Sequence, residues 1–170
     1  MPGPKARGKP ATLSAIRLLV LDVDGVLTDG RLRYGAQGEV EKLFHVRDGY
    51  GIRRVLAAGI AVAVISGRDS AAVSRRCEEL GIQHVYQGIE DKASVLRQLL
   101  STLGIQARQC ACVGDDEPDV PLLKQAGLAV AVADAHRCAI SIAHRRTRLP
   151  GGAGAVREVC DWLLRARQPP

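Results

Sequence analysis

Aromatic side chains are nearly absent from this chain: Phe, Trp and Tyr together make up 3% of it, with one Trp and one Phe. Its core must therefore be aliphatic, and a nucleic-acid reader that stacks bases on aromatic platforms is disfavoured despite a net charge of +6. Long apolar runs are missing too. No stretch approaches the ~20 residues that span a bilayer, and the start, Met1-Pro2-Gly3-Pro4-Lys5-Ala6-Arg7-Gly8-Lys9-Pro10, has no apolar signal-peptide region. The five cysteines, Cys77, Cys110, Cys112, Cys138 and Cys160, form no C-x-x-C pair and have no zinc-like spacing with the four histidines. They read as reduced core residues, so a cytoplasmic setting without a membrane partner is expected.

Hydrophobic residues at 46% and charged residues at 25% are ordinary for a globular protein, and 170 residues suit one domain. Residues 1–14 are rich in Pro, Gly, Lys and Arg and are expected to form a basic, disordered tail, leaving 15–170 as the domain. The arginines are spread along the chain. Their charge reads as a solvated surface whose field favours small anionic substrates, with no nucleic-acid partner.

Four apolar runs, beginning near Leu18, Ile60, Cys110 and Leu128, have the unbroken pattern of strands buried on both faces, and His84-Val85-Tyr86 reads as a shorter one. Helices are predicted from an Asp48 cap to about Ala58, from Ser70 to Leu80, from Asp91 to Leu103, from Val120 to Ala126, and from Ala155 to about Arg165. Between the first strand and the first helix, Gly35-Ala36-Gln37-Gly38 predicts the four-residue connection of a β-hairpin. Strands alternating with helices over short loops imply a mostly parallel sheet covered on both faces.

Polar residues cluster at the same end of successive strands: Asp22 and Asp24 after the first, Ser66 after the second, and Asp115, Asp116 and Asp119 after a later one. In an open parallel sheet, ligands bind outside the carboxyl ends of the strands, so these groups are expected to meet in one crevice. Ionised carboxylates are costly to bury without a compensating cation, and hard oxygen donors from two strand ends suit Mg²⁺. Ser66 and Lys92, the latter in the first turn of a predicted helix, would supply donors for a phosphoryl group.

The segments Asp22-Val23-Asp24-Gly25-Val26-Leu27-Thr28-Asp29, Ile65-Ser66-Gly67-Arg68, Asp91-Lys92 and Gly114-Asp115-Asp116-Glu117-Pro118-Asp119 resemble, in order, the four motifs of the haloacid dehalogenase superfamily phosphatases. Tyr86-Gln87-Gly88, the stretch from Val130 to His136 and the stretch from Gly151 to Cys160 extend the resemblance over roughly residues 16–165, toward the branch that acts on phosphorylated keto sugar acids. The resemblance implies a three-layer α/β/α, Rossmann-like parallel sheet, capless, with a β-hairpin insertion from about Gly30 to Val46 that packs between subunits of a homotetramer. It also implies Mg²⁺-dependent hydrolysis of the 8-phosphate of the eight-carbon keto sugar acid used for lipopolysaccharide. The alternatives are the 9-phosphate of the nine-carbon acid, or a non-catalytic phosphatase-like oligomerisation module.

By the same resemblance, Asp22 is the nucleophile that forms an aspartyl phosphate, and Asp24 protonates the leaving oxygen and later accepts a proton from water. A carboxylate already ionised at neutral pH needs no base to activate it. Asp22, Asp115 and the Asp24 carbonyl would hold Mg²⁺, with Asp116 and Asp119 orienting its waters. Ser66 and Lys92 would hold the phosphoryl oxygens. Thr28, Gly67, Arg68 and Arg157 are the substrate-binding candidates, Arg157 through a C-terminal segment that closes a neighbouring site.

Overall fold

In the computed structural model, which describes residues 9–168, the centre of the sheet is β1 (Leu18–Leu21), every side chain of which is buried. The described chain continues through β2 (Arg33–Gly35), β3 (Gly38–Glu41), α1 (Val46–Ala57), β4 (Ala61–Ile65), α2 (Ala71–Leu80) and β5 (His84–Tyr86). It then passes through α3 (Lys92–Leu103), β6 (Cys110–Gly114), α4 (Val120–Gln125), β7 (Leu128–Ala131), α5 (Arg137–Ile140), β8 (Arg145–Arg146) and α6 (Ala155–Arg165).

Six strands lie in the order β5-β4-β1-β6-β7-β8, and every neighbouring pair is parallel. The order reverses at β1: the chain moves outward to β4 and β5, then crosses back to β6, β7 and β8. The carboxyl ends of β1, β4 and β6 therefore flank a topological switch point, the usual ligand crevice of such sheets. One helical layer holds α6 packed on α1 with α2 beside it, and the other holds α3, α4 and α5. Apolar runs without alternation are what a sheet covered on both sides requires, and the expected three-layer arrangement is the one observed.

Local differences have local causes. The hairpin turn is tighter than predicted, since Gly35 pairs with Gly38 and only Ala36 and Gln37 connect the strands. Helix α1 starts at Val46, with the His45 ring accepting from the Arg47 N–H at 3.2 Å, so Asp48 is not its cap. Instead the buried Asp48 accepts from the Arg157 N–H at 2.7 Å and ties the start of α1 to the start of α6. The two-residue strand β8 and the four-residue helix α5 carry no apolar periodicity that a sequence reading could detect.

Residues 1–8 of the expected tail lie outside the described residues. Beyond them the chain is held earlier than predicted: Ala11 N–H donates to the Gly127 carbonyl at 3.0 Å, and Leu13 packs against the core. Four cysteines are buried as expected, but Cys138 is not a core residue; it stands partly exposed in the first turn of α5. No helix among the described residues is long and apolar enough to cross a membrane.

Two loops cross closely beside β1. Gly152 N–H donates to the Val26 carbonyl at 3.0 Å, and a Cβ on Gly151 would overlap the Gly25 carbonyl oxygen. Backbone meets backbone here, so no flexible side chain can yield. Gly151→Ala should therefore destabilise the protein by ~1–3 kcal/mol, the usual cost of overpacking, and lower Tm by roughly 2–4 °C per kcal/mol. Thermal unfolding followed by circular dichroism checks this, and an unchanged Tm would show that the loops separate at no cost.

Candidate active site

Asp22 follows β1 directly, and its N–H continues the sheet ladder to the Val113 carbonyl at 3.2 Å. Its side chain cannot turn back to solvent, and the residue is 7% exposed. Helix α3 begins after Asp91, which accepts from the Ser94 N–H at 3.0 Å, and this cap aims Lys92 at the end of β1. Lys92 Nζ donates to Asp22 Oδ1 at 2.6 Å and to Asp119 Oδ1 at 2.7 Å, with the residue itself 5% exposed. Asp119 is fixed in turn, since its Oδ2 accepts from the Asp115 N–H at 3.0 Å and the Asp116 N–H at 3.4 Å.

One carboxylate oxygen from each of Asp22, Asp115 and Asp119 lies within 4.8 Å of the others. Asp115 approaches because Gly25, at φ +88°, has no Cβ; one there would overlap the Asp115 carboxylate. Both the left-handed backbone and the close approach require glycine.

The electrostatics follow from three acids facing one ammonium. Burial first, then Asp119, push the Asp22 carboxyl up to about 7 against the opposing pull of Lys92. Burial, then Asp22 and Asp119, push Asp115 up to about 8. Burial alone would lower Lys92, but Asp22 and Asp119 outweigh it and hold the ammonium above its ordinary value. A second cation would relieve this imbalance. The donors are all oxygen, which suits Mg²⁺ better than a thiophilic metal, so the residues present fit the expected ion.

Asp24 faces elsewhere. Its Oδ1 accepts from Lys42 Nζ at 2.6 Å, and Arg68 Nε lies 3.7 Å from its Oδ2. The Lys42 side chain is 2% exposed and also pairs with Glu39 at 3.1 Å. Glu39 accepts from Ser70 Oγ at 2.8 Å and from Arg68, which also donates to the Tyr34 hydroxyl. Hairpin residues Tyr34, Glu39 and Lys42 thus form one wall of the site within their own chain. Sequence reading missed Lys42 and Glu39, because charges flanking a glycine turn look like an exposed hairpin until the chain folds back.

Ser66 follows β4, buried, with its N–H on the Tyr86 carbonyl at 2.9 Å; its Oγ accepts from the Arg68 N–H at 3.3 Å, leaving its own proton to donate. Gly67 turns beside the Ile89 carbonyl. Three of the candidate residues have other contacts within this chain. Thr28 is buried, and its Oγ1 accepts from Gly30 N–H at 3.2 Å and Gly25 N–H at 3.4 Å, so the hydroxyl holds the loop. Arg157 pairs with Asp161 at 3.0 Å and lies over the Tyr50 ring, in a groove beside α6 lined also by Arg47, Arg148 and Arg165; it joins none of the cluster carboxylates. Asp116 caps its own turn by accepting from the Glu117 N–H at 2.7 Å, which aims it outward; only Asp119 of that pair enters the cluster.

A family model described as haloacid dehalogenase-like hydrolase matches residues 84–150. The chain is 50% identical over 165 residues to a 3-deoxy-D-manno-octulosonate 8-phosphate phosphatase of Yersinia pestis, covering 97% of this chain and 88% of that one. It is also similar to the solved structure of such a phosphatase from Moraxella catarrhalis, in complex with a magnesium ion, a phosphate ion and a KDO molecule. That match has a TM-score of 0.89 and 41% identity, covering 92% of this chain and 90% of that one. The cobalt-bound form of the corresponding Haemophilus influenzae enzyme superposes with a TM-score of 0.90 at 43% identity, covering 92% and 91%.

Because Asp22 and Asp115 titrate near 7 and 8 in the metal-free protein, a metal ion must displace protons to bind there. Raised carboxyls bind protons preferentially in the folded state. Their contribution to stability is therefore present below the ordinary carboxylate range and is lost as pH rises through about 7 to 8. Mg²⁺ binding should tighten over that same interval and release protons. Titration calorimetry in buffers of different ionisation enthalpy checks both, and a pH-independent affinity would contradict the raised values.

Proposed function

The chain belongs to the haloacid dehalogenase-like hydrolases, in the group of the 3-deoxy-D-manno-octulosonate 8-phosphate phosphatases, and from that premise we propose that it hydrolyses this phosphorylated sugar acid to the free acid and phosphate. The observation that carries the reading is the buried ammonium of Lys92 held at 2.6 Å from Asp22, at the switch point of the sheet. An ammonium in that position steadies the nucleophile and, once substrate enters, shares its charge with the phosphoryl oxygens.

In the proposed reaction an Asp22 oxygen attacks phosphorus, and the bond from phosphorus to the sugar oxygen breaks. Asp24 gives its proton to that leaving oxygen. It then takes a proton from water, whose oxygen attacks the aspartyl phosphate and frees Asp22 and inorganic phosphate. The link between Asp24 and Lys42 fixes this carboxyl apart from the cluster, within the same crevice. Ser66 and Lys92 hold the phosphoryl oxygens in place. Asp22, Asp115 and the Asp24 carbonyl would hold Mg²⁺, which would supply further neutralisation of the charge on the transferring group.

Arg68 is the proposed partner for the substrate carboxylate. Its Nε is buried without a hydrogen-bond partner, a donor that an entering carboxylate would satisfy. We also propose a cytoplasmic homotetramer; the exposed Leu32, Tyr34 and Leu43 of the hairpin region support self-association.

Phosphate release from a panel of keto sugar-acid phosphates, with and without Mg²⁺, tests the activity. The eight-carbon 8-phosphate should be the best substrate, and turnover confined to the nine-carbon 9-phosphate would overturn the assignment. Asp22→Asn should reduce kcat by on the order of 10³-fold or more, and Asp24→Asn by roughly 10²–10⁴-fold, both with folding retained by circular dichroism. A near-normal rate in Asp22→Asn would remove it as nucleophile.

A further inference from the structure

The outward turn of Asp116 brings it to a second group of metal-ligating side chains. His136 precedes α5 and Cys138 lies in its first turn. His136 Nδ1 is 3.0 Å from Cys138 Sγ and 3.6 Å from Asp116 Oδ1, and Cys138 Sγ is 3.8 Å from the same Asp116 oxygen. Tetrahedral zinc, with Zn–S near 2.3 Å and Zn–N and Zn–O near 2.0–2.2 Å, sets its donors about 3.3–3.6 Å apart. The observed triangle brackets those edges, so movements of a few tenths of an ångström would close it on an ion.

Nδ1 accepts from the Cys138 N–H at 3.5 Å, a long and weak hydrogen bond, and an ion would take that lone pair in exchange for it. Side-chain exposure of 57% for both His136 and Asp116 leaves an open approach from solvent. The chemistry is opposite to that of the catalytic cluster. Asp22, Asp115 and Asp119 offer only carboxylate oxygens, whereas this group mixes imidazole, thiolate and one carboxylate, a set that selects zinc-like ions over Mg²⁺.

We propose that Asp116, His136 and Cys138 form a surface site for a borderline divalent transition cation of the Zn²⁺ type, with three protein ligands and water in the remaining position. Binding forms the metal–sulfur bond and sends the Cys138 thiol proton to solvent; nothing is oxidised or reduced. The site is independent of which phosphate ester the enzyme hydrolyses.

Co²⁺ is the probe, added to the full-length protein saturated with Mg²⁺ and kept reduced with a phosphine. A near-ultraviolet thiolate-to-cobalt charge-transfer band should grow to a single equivalent and be bleached by Zn²⁺. Cobalt that displaces Mg²⁺ among the catalytic carboxylates gives no such band, so the two sites are read separately. Cys138→Ser should abolish the band and His136→Ala should weaken cobalt binding roughly tenfold or more, each with an unchanged Tm. Absence of the band in the parent protein, its survival in Cys138→Ser, or unaltered affinity in His136→Ala would each overturn the proposal.

Discussion

Everything at the carboxyl edge of this sheet is arranged around one buried ammonium. Lys92 comes from the first turn of α3, Asp22 from the end of β1 and Asp119 from the turn after β6, so a single charged group pins three separate elements. Removing ions from water costs several kcal/mol each unless they are paired, and an apolar replacement of such a group is often no less stable. Its presence in an otherwise aliphatic core is therefore better explained by chemistry than by stability. Loss of the ammonium would leave Asp22 and Asp119 buried without a counter-charge, whereas loss of one acid leaves Lys92 still paired.

Around that base the balance of charge changes. The floor has an excess of carboxylate, which calls for a metal cation, while beside it Lys42 from the end of the hairpin and Arg68 from the turn after β4 are matched by Asp24 and Glu39. The overall charge of +6 favours small anionic substrates at longer range. Arg68 is held by Tyr34, Glu39 and Asp24, which limits the side-chain entropy lost when it meets a ligand.

Strand ends proved readable from sequence because an apolar run interrupted by acids has few alternatives: Asp22, Ser66 and Asp115 all stand where the pattern put them. Side-chain direction at turns was not readable. Asp115 and Asp116 are adjacent, yet one faces the cluster and the other faces His136, a choice made by the Asp119 and Glu117 amide contacts. Long-range partners were equally hidden. Asp48 looks like a helix cap until α6 packs against it, and Arg157 gives no sign in sequence of its contacts with Asp161 and Tyr50. Cys138 was grouped with the core cysteines because a four-residue helix has no period by which a sequence shows its exposed side.

The pair Asp22 and Asp24 illustrates how one turn separates two chemistries. In a continued strand, residues two apart would share a face and an environment. Here the chain leaves the sheet after Leu21, and the amides of Val26, Leu27 and Thr28 all converge on the Val23 carbonyl. That tight turn, secured by the Thr28 hydroxyl and by the loop through Gly151 and Gly152, sends Asp22 inward to Lys92 and Asp24 sideways to Lys42. Two carboxylates in different surroundings can take different parts in one reaction, one attacking phosphorus and the other facing the leaving oxygen. The Thr28 hydroxyl thus maintains the turn on which the proposed division of labour rests.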